Sequence, residues 1–388
     1  MNAVVVRCFE RAREEARVAE RALAAGNDVG PLHGVPITVK EAVELEGLPF
    51  TNGSRLDAGR LGRVDAPAVG GLCAAGGIVL DKTNIPEFCC FYDADNEVYG
   101  TTSNPHDPAR TPGGSSGGEA AALAMGMSAL GVGSDLASSI RNPAARCGVF
   151  GHKPSRGLVS VAGHAGFGLP PAWQLFVTIG PMARTAADLE LGLRCMAGAG
   201  LAPPEPGPFA VAVYEEDGLQ PVAAACRGAV RRAARALAER GHHLEDAQPP
   251  SPGEARALFD TLVETELAHY VPGLTTGRED ELSRNGRGMV TMLKTLRPDL
   301  GAYLDAGRRL NELQSEADEW MERRPIALCP VTPVPAPLAA EGIKTVDGEP
   351  TRPGGKMTLC TWPTAFGLPA VSVPAGRDET GMPLAVQI

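Results

Sequence analysis

No run of lysine or arginine stands out along this sequence, and its formal net charge of −10 argues against a surface built for nucleic acid or an anionic membrane. The uncharged run after Glu119 falls short of the ~20 residues a membrane span needs and contains glycines. The first residues carry only a small apolar patch before Arg7 and Glu10, which is no signal peptide. Cys-x-x-Cys is missing as well: nine cysteines, an odd number, are scattered from Cys8 to Cys360, with only Cys89 and Cys90 adjacent. That excludes a disulfide framework and points to a reducing compartment, so a cytoplasmic protein is expected. Among seven histidines there is no His-Glu-x-x-His and no other paired ligand set, so metal catalysis has no support and no cofactor is implied. Internal repeats are absent too.

What is present alternates between helix and short apolar strand. Cys8 to Ala25 is made of helix formers with one apolar face, ended by Gly26-Asn27. Pro31 to Lys40 predicts a turn and a strand, and Ala68 to Leu80 a helix running into a strand. Val211 to Tyr214, the basic helix from Cys226 to Arg240, and Leu244 predict a peripheral strand-helix-strand unit. Residues 253 to 323 read as mostly helical, and strands are expected over Ala327 to Val334, Pro369 to Pro374 and the final eight residues. Pro203 to Pro208 reads as a surface connection. The Gly/Pro-rich segment Gly163 to Pro181, with Phe167, Trp173 and Phe176, has neither helical nor strand period and predicts a pocket-shaping loop. Alternation of this kind implies one large α/β domain over residues 1–388, a sheet enclosed by helices.

Residues 111 to 153 hold the densest chemistry. Gly113 to Gly118 surrounds Ser115 and Ser116 with glycines, and a second loop carries Ser138 and Ser139. Between them Ala120 to Val132 is free of charge and predicts one buried helix. Ser116, three positions before Glu119, fits a capping box. Asn142 followed by Pro143 fits an N-cap with proline at the first helical position. The glycine loop alone would also suit a flexible linker or a phosphate cradle, but no Gly-Lys-Ser/Thr follows it.

Taken together, Gly-Gly-Ser-Ser-Gly-Gly, Gly-Ser-Asp-x-x-x-Ser-Ile-Arg-x-Pro-Ala and Gly-x-Lys-Pro-Ser resemble the amidase signature family of serine hydrolases. A Gly-Val-Pro-x-x-Val-Lys segment ending at Lys40 and the loops at 82–87 and 99–105 match as well, and Ser115 and Ser139 stand 24 positions apart, as in that family. The resemblance is strong over about residues 28–186 and returns from about 325. It implies a mixed, mostly parallel twisted sheet, and a chain that lacks some terminal helices usual in the family. It also implies hydrolysis of a small carboxamide through an acyl-enzyme. Ser139 would be the nucleophile, Ser115 a proton relay in a cis peptide, and Lys40 the base. The backbone N–H groups of Leu136, Ala137, Ser138 and Ser139 would form the oxyanion hole, and the Cys89 backbone would contact substrate. The family usually has glycine at position 138 and often at 137. If position 138 required positive φ, Ser138 would add strain there and could impair activity.

A lysine serves as a base only when neutral, which demands burial away from carboxylates. An arbitrary lysine would instead sit exposed, here pairing with Glu41. Asp135 and Arg141 are expected to brace the loops. The aromatic loop hints at an apolar or aryl acyl group. Two other readings stay open: a glutamine-hydrolysing amidotransferase subunit with companion subunits, and an impaired, non-catalytic scaffold. A homodimer is compatible with all three.

Overall fold

Eleven strands pair into one sheet. In chain order they are β1 (Val4–Arg7), β2 (Pro36–Lys40), β3 (Ile78–Thr83), β4 (Leu130–Asp135), β5 (Phe150–Lys153), β6 (Thr178–Ala183), β7 (Ala210–Val213), β8 (His243–Asp246), β9 (Ile326–Pro330), β10 (Ala370–Arg377) and β11 (Pro383–Gln387). Across the sheet the order is β1-β3-β2-β4-β6-β5-β10-β11-β9-β7-β8. The computed structural model describes residues 1–388 apart from 166–167, 199–200, 203–206, 340 and 352–356, so the expectations for Phe167 and for Pro203 to Pro206 lie outside the described residues.

The α/β class and the single mixed sheet are as expected, and the parallel pairing gathers in two blocks. β3-β2-β4 and β9-β7-β8 are parallel, each joined by helical crossovers. The run from β4 through β6, β5, β10 and β11 to β9 is antiparallel, as is β1 on β3. Chain connection explains part of this: β10 and β11 are linked by a tight turn at Asp378–Gly381, which allows only the antiparallel arrangement.

Helices cover both faces. On one, α2 (Pro67–Ala74) and α6 (Ala186–Ala197) pack onto Ile37, Val39, Leu130 and Val132 of the first parallel block. On the other, α3 (Gly117–Ala124) and α4 (Arg141–Cys147) bury Ala120 to Leu123 with Ile140 and Ala144. α1 (Phe9–Ala24) matches its predicted span. A third layer, α7 (Pro252–Thr275), α8 (Arg284–Leu293) and α9 (Leu300–Arg323), lies over the pocket side, where α7 and α9 join Trp173, Phe176 and Phe259 in one apolar cluster.

Three local expectations are overturned. The run from Ala120 to Val132 is not one helix. α3 stops at Ala124, where Gly126 at φ +70 lets Gly126 and Met127 N–H reach back to Leu123 and Ala122 carbonyls, and β4 begins only at Leu130. Ser116 and Glu119 form no capping box: the serine hydroxyl turns to the Ser134 carbonyl, and the Glu119 carboxyl accepts from Thr38 and Thr83 on the neighbouring strands. Burial pushes that carboxyl up to about 8, which keeps it protonated in an apolar layer. Asn142 is inside α4 rather than capping it, because its amide donates to the Gly114 carbonyl at 3.0 Å and ties the two serine loops together. The segment 163–181 also contains more order than its composition suggests, namely α5 (Pro171–Phe176) and the start of β6.

Candidate active site

Lys40 ends β2 and is wholly buried. Its Nζ lies 2.6 Å from Ser115 Oγ and donates to Ser134 Oγ at 2.9 Å and the Ser134 carbonyl at 3.4 Å. Among the described residues no carboxylate lies within ion-pair distance of it. Burial pushes the amine below its usual range, against a raising pull first from Cys89 and then from Asp135. The expected alternative, an exposed lysine paired with Glu41, is therefore not what the fold builds. Glu41 accepts from Thr51 N–H and the Tyr99 hydroxyl instead.

Ser115 sits just ahead of α3, and the Gly114–Ser115 peptide is cis. Glycine is required at 114, because a Cβ there would lie 2.0 Å from the Asp93 carbonyl oxygen. Ser116 N–H donates to the Ser139 carbonyl at 3.0 Å, so the two serine loops are hydrogen-bonded to one another. The second loop is closed by the Asp135 carboxylate, which accepts from the N–H groups of Ile140 and Arg141. Ser115, Ser134, Ser139, Leu136 and Ala137 all line one cavity of about 500 Å³.

Ser138 does not have the expected strain. Its φ lies outside the left-handed region, it is fully buried, and it is not among the residues that line the cavity. Cys89 does line the cavity, and it reaches the site through its side chain, which interacts with Lys40 and Ser115. Burial raises the thiol's pKa, so it stays protonated beside the amine. The remaining wall is largely apolar and aromatic, from Phe91, Tyr92, Trp173, Phe259, Met289 and Met292, with the Arg256–Asp260 ion pair at 2.6 Å the main charged feature.

Two residues of the site are given no role of their own by the sequence, although Ser134 stands inside the Gly-Ser-Asp motif. Ser134, in the middle of a strand pattern, hydrogen-bonds Lys40 alongside Ser115. His164, from the irregular 163–181 segment, places Nε2 2.7 Å from Ser134 Oγ and lines the same cavity. A single histidine in a Gly-rich loop has no spacing to mark it. Its place is set by backbone pairing that only the fold shows: Ala165 N–H donates to the Ala42 carbonyl and Glu44 N–H to the Gly163 carbonyl, which fastens the loop onto the residues just after Lys40.

Comparison with known proteins bears out the family resemblance. A family model described as Amidase matches residues 1–388. The chain is 32% identical to an indoleacetamide hydrolase of Bradyrhizobium diazoefficiens, over 100% of this chain and 76% of that protein. It is 31% identical to a glutamyl-tRNA(Gln) amidotransferase subunit from Picosynechococcus sp., over 98% of this chain and 85% of that one. A crystal structure of an amidase superposes with a TM-score of 0.88 at 29% identity, covering 100% of this chain and 87% of the other. Among the described residues, no helix is long and apolar enough to cross a membrane.

Proposed function

Because this chain belongs to the amidase family and is an amide-hydrolysing enzyme, we propose that Ser139, Ser115 and Lys40 carry out the hydrolysis. The observation that carries this reading is a buried lysine that has no carboxylate partner among the described residues and lies 2.6 Å from the hydroxyl of Ser115. Ser139 attacks the amide carbonyl while its proton passes through Ser115 to neutral Lys40. The tetrahedral oxyanion is held by backbone N–H groups of Leu136, Ala137, Ser138 and Ser139. The proton then returns through Ser115 to the leaving nitrogen, the amine departs, and an acyl-Ser139 ester remains. Water repeats the sequence to release the carboxylate.

No step calls for a cofactor or nucleic acid, and the reading is of an enzyme that works without companion proteins, as a monomer or homodimer. The apolar and aromatic cavity wall favours an apolar or aryl acyl group. Nine unpaired cysteines favour a cytoplasmic setting. The test is intact-mass labelling with a fluorophosphonate. One adduct on Ser139, lost in Ser139→Ala and slowed at least about a hundredfold in Lys40→Ala, is the expected result. Folded parent protein that takes no label would sink the assignment. Hydrolysis of simple amides without any companion protein separates this reading from that of an amidotransferase component.

A further inference from the structure

We infer that His164 is a positioning residue for the hydrolysis, acting through Ser134 to keep the lone pair of Lys40 available to Ser115. The inference rests on the lysine-base reading above, and it comes from counting the hydrogen-bonding capacity around one amine. A neutral lysine has two N–H donors and a single lone pair. Ser115 must give its proton to that lone pair for the relay to run, so the lone pair has to be free of any other hydroxyl. Two hydroxyls crowd it: Ser115 Oγ at 2.6 Å and Ser134 Oγ at 2.9 Å.

What decides between them is where the Ser134 proton goes. Apart from Lys40, the one partner of Ser134 Oγ among the described residues is His164 Nε2, at 2.7 Å. If Nε2 accepts, the Ser134 proton is drawn away from Lys40, and Ser134 Oγ presents a lone pair to a lysine N–H. If Nε2 were instead a donor, the Ser134 hydroxyl would turn onto the lysine lone pair and compete with Ser115. The first arrangement is the productive one. It also prepares for the ammonium that forms when the relay delivers its proton. That group has three N–H donors, and Ser115 Oγ, Ser134 Oγ and the Ser134 carbonyl are three neutral acceptors at 2.6, 2.9 and 3.4 Å. Neutral acceptors support the transient cation without the permanent pull a carboxylate would exert on the resting amine.

His164 is suited to remain an acceptor. It is 6% exposed, and burial, followed by the nearby Lys40, holds its pKa down to about 3, so the ring stays neutral and keeps a lone pair. Among the described residues its buried Nδ1 has no partner, so the Ser134 contact at Nε2 is what sets the tautomer, with the proton on Nδ1. The pairing of residues 163–165 with 42–44 makes the ring's position part of the fold around Lys40 itself.

The experiment measures steady-state hydrolysis of one amide by the parent, His164→Ala, His164→Gln, Ser134→Ala and the Ser134→Ala/His164→Ala double variant, each checked for folding by urea denaturation. His164→Ala is expected to lower kcat about tenfold to a hundredfold with KM within about twofold, a loss of the size that misplacement of a catalytic group produces. His164→Gln, whose side-chain carbonyl can accept from Ser134, should recover part of that loss. In the Ser134→Ala background, removing His164 should have no further effect, because the hydroxyl it controls is gone. Equal factors in both backgrounds, or unchanged kcat in folded His164→Ala, would overturn the inference. If His164→Ala does not fold, His164→Leu, which also cannot accept from Ser134, takes its place, and unchanged kcat in that folded variant overturns the inference as well. Activity in Lys40→Ala or Ser139→Ala would mark the separate failure of the triad reading.

Discussion

Two fully buried basic side chains draw their partners from neighbouring residues of one strand, and the fold shifts their proton affinities in opposite directions. Arg141 has five N–H donors and uses all five. Nε and one terminal nitrogen grip Asp135 at 3.0 and 2.8 Å, and the rest reach Thr364 Oγ1, the Cys360 carbonyl and Gln387 Oε1. Burial alone would lower its pKa and raise that of Asp135, but each charge outweighs this for the other and both stay ionised. Lys40 is buried as deeply and has only hydroxyls, a carbonyl and a thiol around it, and its pKa is driven down. The partners come from consecutive residues of β4: Ser134 serves the lysine and Asp135 the arginine, on opposite faces as strand geometry requires. Depth of burial therefore does not set the charge of a buried cation. The chemical type of its neighbours does, and a one-residue alternation separates a structural clamp from the lysine proposed as base.

The largest effect should come from making the two sites alike. Lys40→Arg puts a cation that cannot lose its proton where the relay needs an acceptor. Hydrolysis and fluorophosphonate labelling are expected to fall by about 10³-fold or more, in line with the upper part of the range for a lost acid–base group. Lys40→Met should be as inactive, yet at least as stable to urea as the parent. The pH profile follows from the same shift. Only the neutral amine works, so kcat/KM should rise with pH through the lowered folded pKa and then level off. The unfolded chain binds the proton up to about 10.4. Stability should therefore rise with pH between the folded value and that one, and the lysine's cost is fully present below the folded value. A kcat/KM that stays flat with falling pH until the protein unfolds would contradict a lysine base.

Next in size is the loss of the clamp. Arg141→Met leaves the Asp135 carboxylate buried without its counter-charge and also releases the contacts to Cys360, Thr364 and Gln387. Breaking such a pair costs about 3–5 kcal/mol, so urea unfolding should move by that amount. Adding Asp135→Asn should return part of it, because the charge then disappears from both sides. A loss below about 1 kcal/mol would mean that water replaces the guanidinium, and that the clamp is less closed than its five bonds suggest.

How much of this contrast can be read from the sequence depends on whether the signal is local. The serine loops, their spacing and the lysine at the end of an apolar strand are contiguous motifs, and all three arrive in one place. α1 is legible from its formers and its terminal Gly26. The extent of α3 is not, since an uncharged apolar run fits a buried helix and a buried strand equally well. Ser116 with Glu119 looks like a cap because the spacing is right. The competing partners, Thr38 and Thr83, lie on other strands that only the sheet brings near. His164 is invisible for the same reason: thirty residues separate it from Ser134, and it stands in no pattern.

The smallest effect concerns Ser138, where the sequence pattern calls for glycine and predicts strain. Its backbone is in an ordinary region, so the substitution carries no left-handed penalty, and its side chain is off the cavity wall. What remains is a fully buried hydroxyl without a partner among the described residues. An unsatisfied buried polar group costs about 1–3 kcal/mol, while burying a methyl in its place costs nothing comparable. Ser138→Ala should therefore hold or raise stability by up to about 1 kcal/mol and leave kcat within about twofold. Urea midpoints and initial rates on one amide check both. A fall in kcat of about tenfold or more would show that the hydroxyl reaches the reacting atoms after all, and that this loop binds the oxyanion differently from the backbone arrangement assigned to it.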